Sequence, residues 1–280
     1  MKVLVTGANG YLGQGIVKQL LDDGVTVVAT DLLSSNIDKR AIIKTCNLFD
    51  VENPFIFFDK PDVVLHLAWR NGFAHNDQSH LNDLPNHYAF LKKFIDLGIK
   101  RIAVMGTMHE VGFYEGEIDE NTPCFPLSLY GVSKNALRQL VFSYARDKDV
   151  KIQWLRAFYI VGNIRYGSSI FSKLLTAADE GKTLFPFTSG KNKYDFLDYE
   201  EFCKQIKCTV IQDEMNGIIN ICSGKPVSLA DRVNKFIEDN RLNIKLDYNK
   251  FPDRPYDSKA IWGNNKKISI IMDKYAQKRK

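Results

Sequence analysis

The sequence contains neither a long hydrophobic run nor an excess of one charge. A membrane-spanning helix needs roughly 20 apolar residues, and runs such as Phe55–Phe58 are far shorter. The N-terminal segment reaches Gly7 too early for a signal peptide and is typical of a strand. The 38 Lys and Arg against 33 Asp and Glu give a net charge of +5, scattered except at the C-terminal end. We therefore expect neither a membrane nor a nucleic acid as partner.

Cysteine is scarce. The five residues are odd in number and have no C-x-x-C spacing; they are Cys46, Cys124, Cys203, Cys208 and Cys222. A disulfide framework or a zinc site would require pairs at regular spacing. The pattern favours free thiols in a reducing compartment, so we expect a cytoplasmic protein without a metal.

Short apolar runs alternate with helical patterns through the first half of the chain. The runs are rich in β-branched residues, as in strands buried on both faces of a sheet; they are Val3–Val5, Val25–Ala29, Val63–Leu67, Ile102–Met105 and Gln153–Phe158. Helical spacing of apolar residues is found in Leu12–Asp22, Asn82–Leu97 and Gly131–Arg146. This alternation predicts an α/β fold with a Rossmann-type, doubly wound parallel sheet.

The second half has a looser pattern. Gly167–Ala178 and Leu229–Asn240 have helical patterns, and Ile218–Cys222 is a strand candidate. We predict a nucleotide-binding domain at 1–162 and a smaller α/β substrate lobe at 163–280. The strand near 218–222 is expected to return to the main sheet.

A glycine-rich turn, Thr6-Gly7-Ala-Asn-Gly10-Tyr-Leu-Gly13, separates the first strand from the first helix. Glycines allow the backbone to approach a pyrophosphate, and a helix N-terminus stabilises its negative charge. Asp31 follows at the end of the next strand, where a carboxylate accepts hydrogen bonds from an adenosine ribose and repels a 2′-phosphate. The alternative for Asp31 is a turn or capping residue. The turn predicts a dinucleotide, with NAD(H) preferred and NADP(H) possible.

Tyr130 and Lys134 are four residues apart, so both lie on one face of the predicted helix. A free tyrosine has a pKa near 10 and exchanges protons poorly at neutral pH. A neighbouring ammonium would lower that pKa and make Tyr130 a usable acid–base group. The alternative is an exposed tyrosine beside a solvated lysine.

Together these motifs resemble the extended short-chain dehydrogenase/reductase superfamily, in its nucleotide-sugar epimerase/dehydratase branch. Further segments carry the resemblance over nearly the whole chain; they are His66-Leu67-Ala68-Trp69, Gly106-Thr107 with Gly112, Asp119-Glu120-Asn-Thr-Pro123, Arg156-Ala157-Phe158, Asn220-Ile-Cys-Ser-Gly224 and Arg254-Pro-Tyr-Asp257. Asn47-Leu48 stands where the family usually has Asp-Leu, a mild departure.

The resemblance implies the roles of individual residues. Thr107 would bind the substrate oxygen, Tyr130 would transfer the proton and Lys134 would hold the nicotinamide ribose. The implied cofactor-binding residues are Gly7, Asn9, Gly10, Tyr11, Leu12, Gly13, Asp31, Asn47, Leu48, Leu67, Ala68, Trp69, Asn82, Tyr130, Lys134 and Ala157. The implied substrate-binding residues are Thr107, Met108, Phe158, Tyr159, Arg254 and Asp257. The substrate would be a nucleotide-diphosphate sugar, and the protein would be a homodimer formed through the helices at 82–97 and 131–146.

The residues after Thr107 restrict the reaction. Sugar 4,6-dehydratases of the family have Asp and Glu there, whereas this chain has Met108 and His109, followed by Glu110 one place too late. Methionine transfers no proton, so dehydration is disfavoured. A finer resemblance favours the enzymes that reduce dTDP-4-keto-6-deoxyhexoses to dTDP-fucose or dTDP-6-deoxytalose.

Two alternatives to the reductase stay open. One is a 4-epimerase that retains NAD, and the other is a dinucleotide-binding protein without activity. His75 and His80 either line the sugar pocket or are solvated loop residues.

Overall fold

The computed structural model describes residues 1–162, 169–253 and 257–278. Its strands, β1 to β14 in chain order, are Lys2–Thr6, Thr26–Asp31, Ile42–Thr45, Val63–His66, Arg101–Thr107, Gly116–Ile118, Lys151–Ala157, Tyr159–Val161, Leu184–Pro186, Lys193–Asp198, Gly217–Ile221, Pro226–Ser228, Lys245–Asp247 and Ala260–Gly263. Its helices, α1 to α8, are Tyr11–Asp22, Pro54–Phe57, Ser79–Asp96, Leu129–Ala145, Ile170–Asp179, Tyr199–Ile211, Leu229–Asp239 and Lys266–Gln277.

The main sheet has seven parallel strands in the order β11-β7-β5-β4-β1-β2-β3. The chain leaves β1 towards β2 and β3 and then crosses back to β4, so the strand order reverses at β1. Ligands of such sheets bind at the carboxyl ends of the strands beside this reversal. The predicted Rossmann-type fold class is confirmed.

Two hydrophobic cores cover the two faces of this sheet. Along β1, Val3 and Val5 belong to one core and Leu4 to the other. The first core receives α1, α6 and α8, whereas the second receives α3 and α4. Side chains alternate across a strand, so burial on both faces explains why the central strands are continuous apolar runs.

Two elements of the main fold have weak sequence signals. β3 is an edge strand whose Ile42 and Ile43 remain exposed, so no alternation of burial marks it. α6 buries polar residues: the Lys207 ammonium donates to the Tyr275 hydroxyl at 2.6 Å and lies 3.4 Å from Asp23. Polar tertiary partners therefore add to the apolar packing that holds α6 on the first core.

A smaller sheet and a third core lie beyond the carboxyl ends of the main strands. This sheet has the order β12-β10-β14-β6, with β8 also paired to β10, and β13 pairs with β9. The third core contains Phe171 and Leu174 of α5 with Val233 and Phe236 of α7. β6 comes from the first half of the chain, and β11 of the second half pairs with β7. Both sheets thus contain strands from both sides of residue 162. The domain boundary at this residue stays a prediction.

All five cysteines are free. Among the described residues, no helix has the length and apolar character needed to cross a bilayer.

Candidate active site

The glycine-rich turn lies at the carboxyl end of β1 and is packed too tightly for side chains at two of its positions. Gly7 has φ +69°, and a Cβ there would lie 2.7 Å from the Ala68 nitrogen. A Cβ on Gly13 would lie 2.2 Å from the Gly7 carbonyl oxygen. Gly10 caps α1 without a side-chain hydrogen bond. The amides of the first turn of α1 are therefore open to an anion, as a pyrophosphate requires.

Asp31 shapes this turn. Its Oδ2 accepts a hydrogen bond from the Asn9 amide at 3.0 Å, and its Oδ1 accepts one from the Leu32 amide at 2.7 Å. The Asn9 side chain in turn accepts from the Asn36 amide at 2.8 Å. Asp31 is thus a turn-stabilising residue in this structure, at the end of β2 where a ribose-binding carboxylate is also expected. The cradle of glycines and this carboxylate together fit a dinucleotide.

Thr107 and Tyr130 meet at the end of β5. Thr107 is almost fully buried, and its side chain faces that of Tyr130 at the start of α4. Ser128 caps α4 by accepting from the Gly131 amide at 3.2 Å, which fixes where the helix begins. Burial raises the pKa of Tyr130 to about 12, although the Thr107 side chain opposes this. Tyr130 is therefore a neutral phenol that holds its proton at neutral pH.

Lys134 lies one turn further along α4 with its ammonium buried. The Nζ donates to the Met105 carbonyl at 2.9 Å and lies 4.0 Å from the centre of the Trp69 ring. Burial lowers the pKa of Lys134 to about 7. A cation over an indole face is stabilised by the ring quadrupole, so Trp69 supports the charge at this position.

The expected effect of Lys134 on Tyr130 is wrong for this structure. We expected the ammonium to lower the pKa of the tyrosine, and instead burial raises it. The physical reason is that the ammonium is directed to Met105 and Trp69. Both side chains do share one face of α4, as their spacing predicts, and the Thr107–Tyr130 contact is present.

Comparison with known proteins decides the family. Residues 3–222 match the NAD dependent epimerase/dehydratase family. A dTDP-6-deoxy-L-talose 4-dehydrogenase (NAD(+)) from Aggregatibacter actinomycetemcomitans is 45% identical, over 94% of this chain and 99% of the relative. The chain belongs to the NAD dependent epimerase/dehydratase family.

More distant relatives share the fold. A GDP-6-deoxy-D-talose 4-dehydrogenase of the same organism is 21% identical over 97% of this chain and 91% of its own. The structure of a Thermotoga maritima UDP-glucose 4-epimerase with UDP-glucose superposes with a TM-score of 0.81 at 21% identity, covering 96% and 92% of the two chains. The family membership confirms the predicted resemblance to extended short-chain dehydrogenases/reductases, and the preference for NAD agrees with a family that depends on it.

The remaining predicted cofactor residues differ in their surroundings. The Ala68 amide donates to the Thr6 hydroxyl at 3.2 Å, which holds the loop after β4 against the glycine-rich turn. Leu48 is buried in the second core. Asn47 caps the short turn at Leu48–Asp50 through its side chain, and Asn82 is exposed on α3. The roles of these residues stay predictions.

The sugar side of the site contains aromatic and apolar side chains. Phe158 and Met108 are predicted substrate contacts, but both are buried in the first core. Tyr159 packs on Tyr194 with ring centres 4.8 Å apart, and burial, followed by Tyr194 and Asp257, raises the pKa of Tyr159. Arg254 lies outside the described residues.

All five histidines of the chain gather around Trp69 and Tyr130, which spacing did not predict. His80 is buried: it accepts from Trp69 Nε1 at 3.0 Å and donates to the Ala74 carbonyl at 3.0 Å. His80 therefore holds Trp69 in place, and is neither a solvated residue nor one with a ring nitrogen to spare for a sugar.

Two further histidines, His66 and His87, form a hydrogen-bonded chain that ends against the Trp69 ring. Thr6 Oγ1 lies 2.8 Å from His66 Nδ1, and His66 Nε2 lies 2.9 Å from His87 Nδ1. The His87 ring stacks on Trp69 at 4.4 Å. Burial lowers the pKa of His87 to about 3 and that of His66 well below its usual value. Both rings are neutral, so neither adds charge beneath Lys134.

His75 and His109 lie on the partly exposed side of the site. The His75 ring stacks on Tyr130 with centres 5.4 Å apart, and the His109 ring is 4.5 Å from His75. The Tyr130 amide also donates to the His75 carbonyl at 2.8 Å, which fastens this loop to the start of α4. Burial lowers the pKa of His109 to about 4 and also lowers that of His75. The sequence signal for this cluster was the presence of histidines after β4 and after Thr107. Only the fold shows that they lie together.

Proposed function

We propose that the protein reduces the 4-keto group of a dTDP-4-keto-6-deoxyhexose with NADH, giving a dTDP-6-deoxytalose or dTDP-fucose product. The observation that carries the proposal is that the side chains of Thr107 and Tyr130 face each other beside the buried Lys134. The 45% identical relative is named for oxidation of dTDP-6-deoxy-L-talose at the same carbon, and a dehydrogenase and a reductase differ only in direction.

The reduction requires a hydride and a proton. NADH, when bound, supplies the hydride to C4. Tyr130 holds its proton at neutral pH and donates it to the C4 oxygen, because the alkoxide that forms as hydride is added is a stronger base than the phenolate. Thr107 donates a hydrogen bond to the same oxygen and stabilises the developing negative charge. The C4 carbonyl thereby becomes an alcohol, and Tyr130 recovers its proton from solvent.

Dehydration is a poor alternative for this site. Elimination of water needs a second acid or base beside the reacting carbon, and position 108 holds a buried methionine. Glu110 is fully buried behind Thr107 and faces away from solvent. His75 and His109 have the exposure to contact the sugar, and we assign them to binding of its remaining hydroxyls.

The deciding experiment is a product-resolved assay of dTDP-4-keto-6-deoxyglucose with NADH. We expect one NADH, followed by its absorbance, to be consumed per sugar reduced, with a single 4-hydroxy product. An enzyme that consumes no NADH, retains NAD through purification and interconverts the two 4-hydroxy sugars would be an epimerase. A protein that only binds NADH would be a dinucleotide-binding protein.

We also propose a homodimer formed through α3 and α4. Leu81 of α3 and Val132 and Leu140 of α4 are each about two-fifths exposed, at 40%, 40% and 41%. Apolar side chains on adjacent helix faces are typical of a subunit interface. Light scattering should give twice the chain mass for the wild type and a monomer for Leu140→Glu, and a monomeric wild type would contradict the proposal.

A further inference from the structure

Glu110 is a buried charged residue that the reaction above does not use. It follows Thr107 by three positions and has no solvent exposure. Its Oε1 accepts from the Thr107 amide at 2.7 Å and from Trp154 Nε1 at 2.9 Å, and its Oε2 lies 3.0 Å from the same indole nitrogen. The Thr107 side chain caps the short turn Met108–Glu110, which contains this glutamate. Thr107 is thus held by its backbone as well as by its hydroxyl.

Two arginines face the other side of this carboxylate. Arg138 Nε lies 3.6 Å and Arg156 Nε 3.8 Å from Glu110 Oε2. The outer nitrogens of these arginines are fixed elsewhere, to the Asn135 side chain at 2.7 Å and to the Asp119 carbonyl at 2.8 Å. Each group that faces Glu110 in these contacts is a donor or a cation. Burial raises the pKa of Glu110, and the two arginines, the Thr107 amide and Trp154 lower it. An ionised carboxylate only accepts, whereas a protonated one would also need an acceptor, so these contacts favour the charged form.

Gly106 leaves the space for this arrangement. A Cβ at Gly106 would lie 2.1 Å from Trp154 Nε1 and 2.8 Å from Glu110 Oε1. The next-to-last residue of β5 is therefore a glycine, because the carboxylate and the indole occupy the volume of a side chain. The segment Gly106-Thr107-Met-His-Glu110 is one structural unit, with Trp154 of β7 as its partner.

We propose that Glu110 is a positioning residue of the active site, which holds Thr107 against Tyr130 and places a buried negative charge behind both catalytic groups. The positioning part of this proposal, that Glu110 holds Thr107 for turnover, rests on the proposed function. The charge part, that Glu110 places a negative charge near the catalytic groups, does not, because it concerns the protein without substrate.

The charge also acts on Lys134. Burial lowers the pKa of Lys134 to about 7, and the Glu110 carboxylate opposes this. The other groups facing the ammonium are the Met105 carbonyl and the Trp69 ring, and the nearby His66 and His87 are neutral. Glu110 is thus the acidic side chain that opposes the loss of the Lys134 proton.

The test compares Glu110→Gln with Trp154→Phe. Glutamine keeps an acceptor for the Thr107 amide and removes the charge, whereas phenylalanine removes the indole donor and keeps the charge. We expect Glu110→Gln to lower kcat at least about tenfold with the KM of the sugar nucleotide changed less than about twofold, the signature of a lost transition-state interaction. Trp154→Phe should lose less than about threefold, since one donor to the carboxylate is lost and its charge remains.

The readout that needs no substrate is the titration of Lys134, followed by NMR of ¹³C-labelled lysine and assigned with Lys134→Met. We expect the pKa of Lys134 to fall in Glu110→Gln and to stay at its wild-type value in Trp154→Phe and in Glu110→Asp, which retains the charge. Should Glu110→Gln not fold, Glu110→Asp carries the test: it should lose kcat, because the shorter side chain releases Thr107, with the Lys134 titration unchanged.

An unchanged titration of Lys134 in folded Glu110→Gln would overturn the charge part of the proposal. Equal losses of kcat in Glu110→Gln and Trp154→Phe would overturn the positioning part, since general loosening of the core would then explain both. A wild type that does not reduce the sugar nucleotide would refute the proposed function alone, because the titration still tests Glu110.

Discussion

At the scale of single residues, the proton donor gives the sharpest prediction. Tyr130→Phe removes the hydroxyl that faces Thr107 and leaves the ring among the histidines. We expect kcat to fall by about 10³-fold, within the usual range for a lost general acid, with NADH affinity nearly unchanged. Steady-state kinetics and NADH fluorescence titration measure the two quantities.

Tyr144→Phe is the matched control, since Tyr144 lies on the same helix away from Thr107. It should retain wild-type turnover. Wild-type kcat in Tyr130→Phe would refute the assigned proton donor.

The buried Lys134 predicts a conflict between stability and activity. Its pKa of about 7 in the folded protein lies below the ordinary value of 10.5, so between these values the unfolded chain binds more protons and stability rises with pH. Removing the charge with Lys134→Met should therefore raise the free energy of unfolding by about 2 kcal/mol at neutral pH. One pKa unit corresponds to about 1.4 kcal/mol, and the loss of the contact between the ammonium and Trp69 offsets part of the gain.

Urea unfolding should show this gain at neutral pH and its decline as the pH approaches 10, while turnover is lost throughout. A variant less stable than the wild type at neutral pH would mean that the Met105 and Trp69 contacts outweigh the cost of burial.

At the scale of elements, the turn between β1 and α1 depends on backbone contact. A Cβ on Gly13 would lie 2.2 Å from the Gly7 carbonyl oxygen and 2.7 Å from the Ala8 Cα, both backbone atoms that cannot move without shifting the turn. We expect Gly13→Ala to weaken NADH binding at least about tenfold, because the amides of the helix N-terminus lose their aim at the pyrophosphate.

Gly72→Ala is the control, since nothing lies within 4 Å of a Cβ there. Isothermal titration with NADH measures both variants. Equal affinity in Gly13→Ala and the wild type would refute the assignment of this turn to the cofactor.

At the scale of the whole molecule, the histidine cluster sets the acid limit of stability. His66, His87 and His109 all have lowered pKa values in the folded protein because they are buried. Below about pH 6.5 the unfolded chain takes up protons that the native state refuses, so stability is lost as the pH falls. Each such histidine contributes about 2 kcal/mol of loss at pH 5.

Urea unfolding at neutral pH and at pH 5 checks this expectation. The difference in free energy of unfolding between the two conditions should be smaller in His87→Asn than in the wild type. The same difference in both proteins would show that His87 is protonated in the native state.

The sequence by itself predicted most strands of the central sheet and the candidate catalytic residues. Apolar runs such as Val63–Leu67 are intrinsic to strands buried on both faces, and Gly7, Gly13, Tyr130 and Lys134 are tied to their chemistry by short spacings. These signals are local, since a turn or one helix face is determined by residues within a few positions of each other.

The tertiary structure decided the features that depend on packing between distant residues. The edge strand β3 forms by pairing with β2, and α6 buries polar residues against partners far along the chain, such as Tyr275. The pKa of Tyr130 rises because of burial, and burial is a property of the packed molecule. Glu110, one place out of register for dehydration chemistry, faces the interior because Trp154 and Arg156 come from β7. Residue identities and spacings thus determined which groups the site contains, whereas packing determined their charge states and contacts, since desolvation and hydrogen-bond partners exist only in the folded chain.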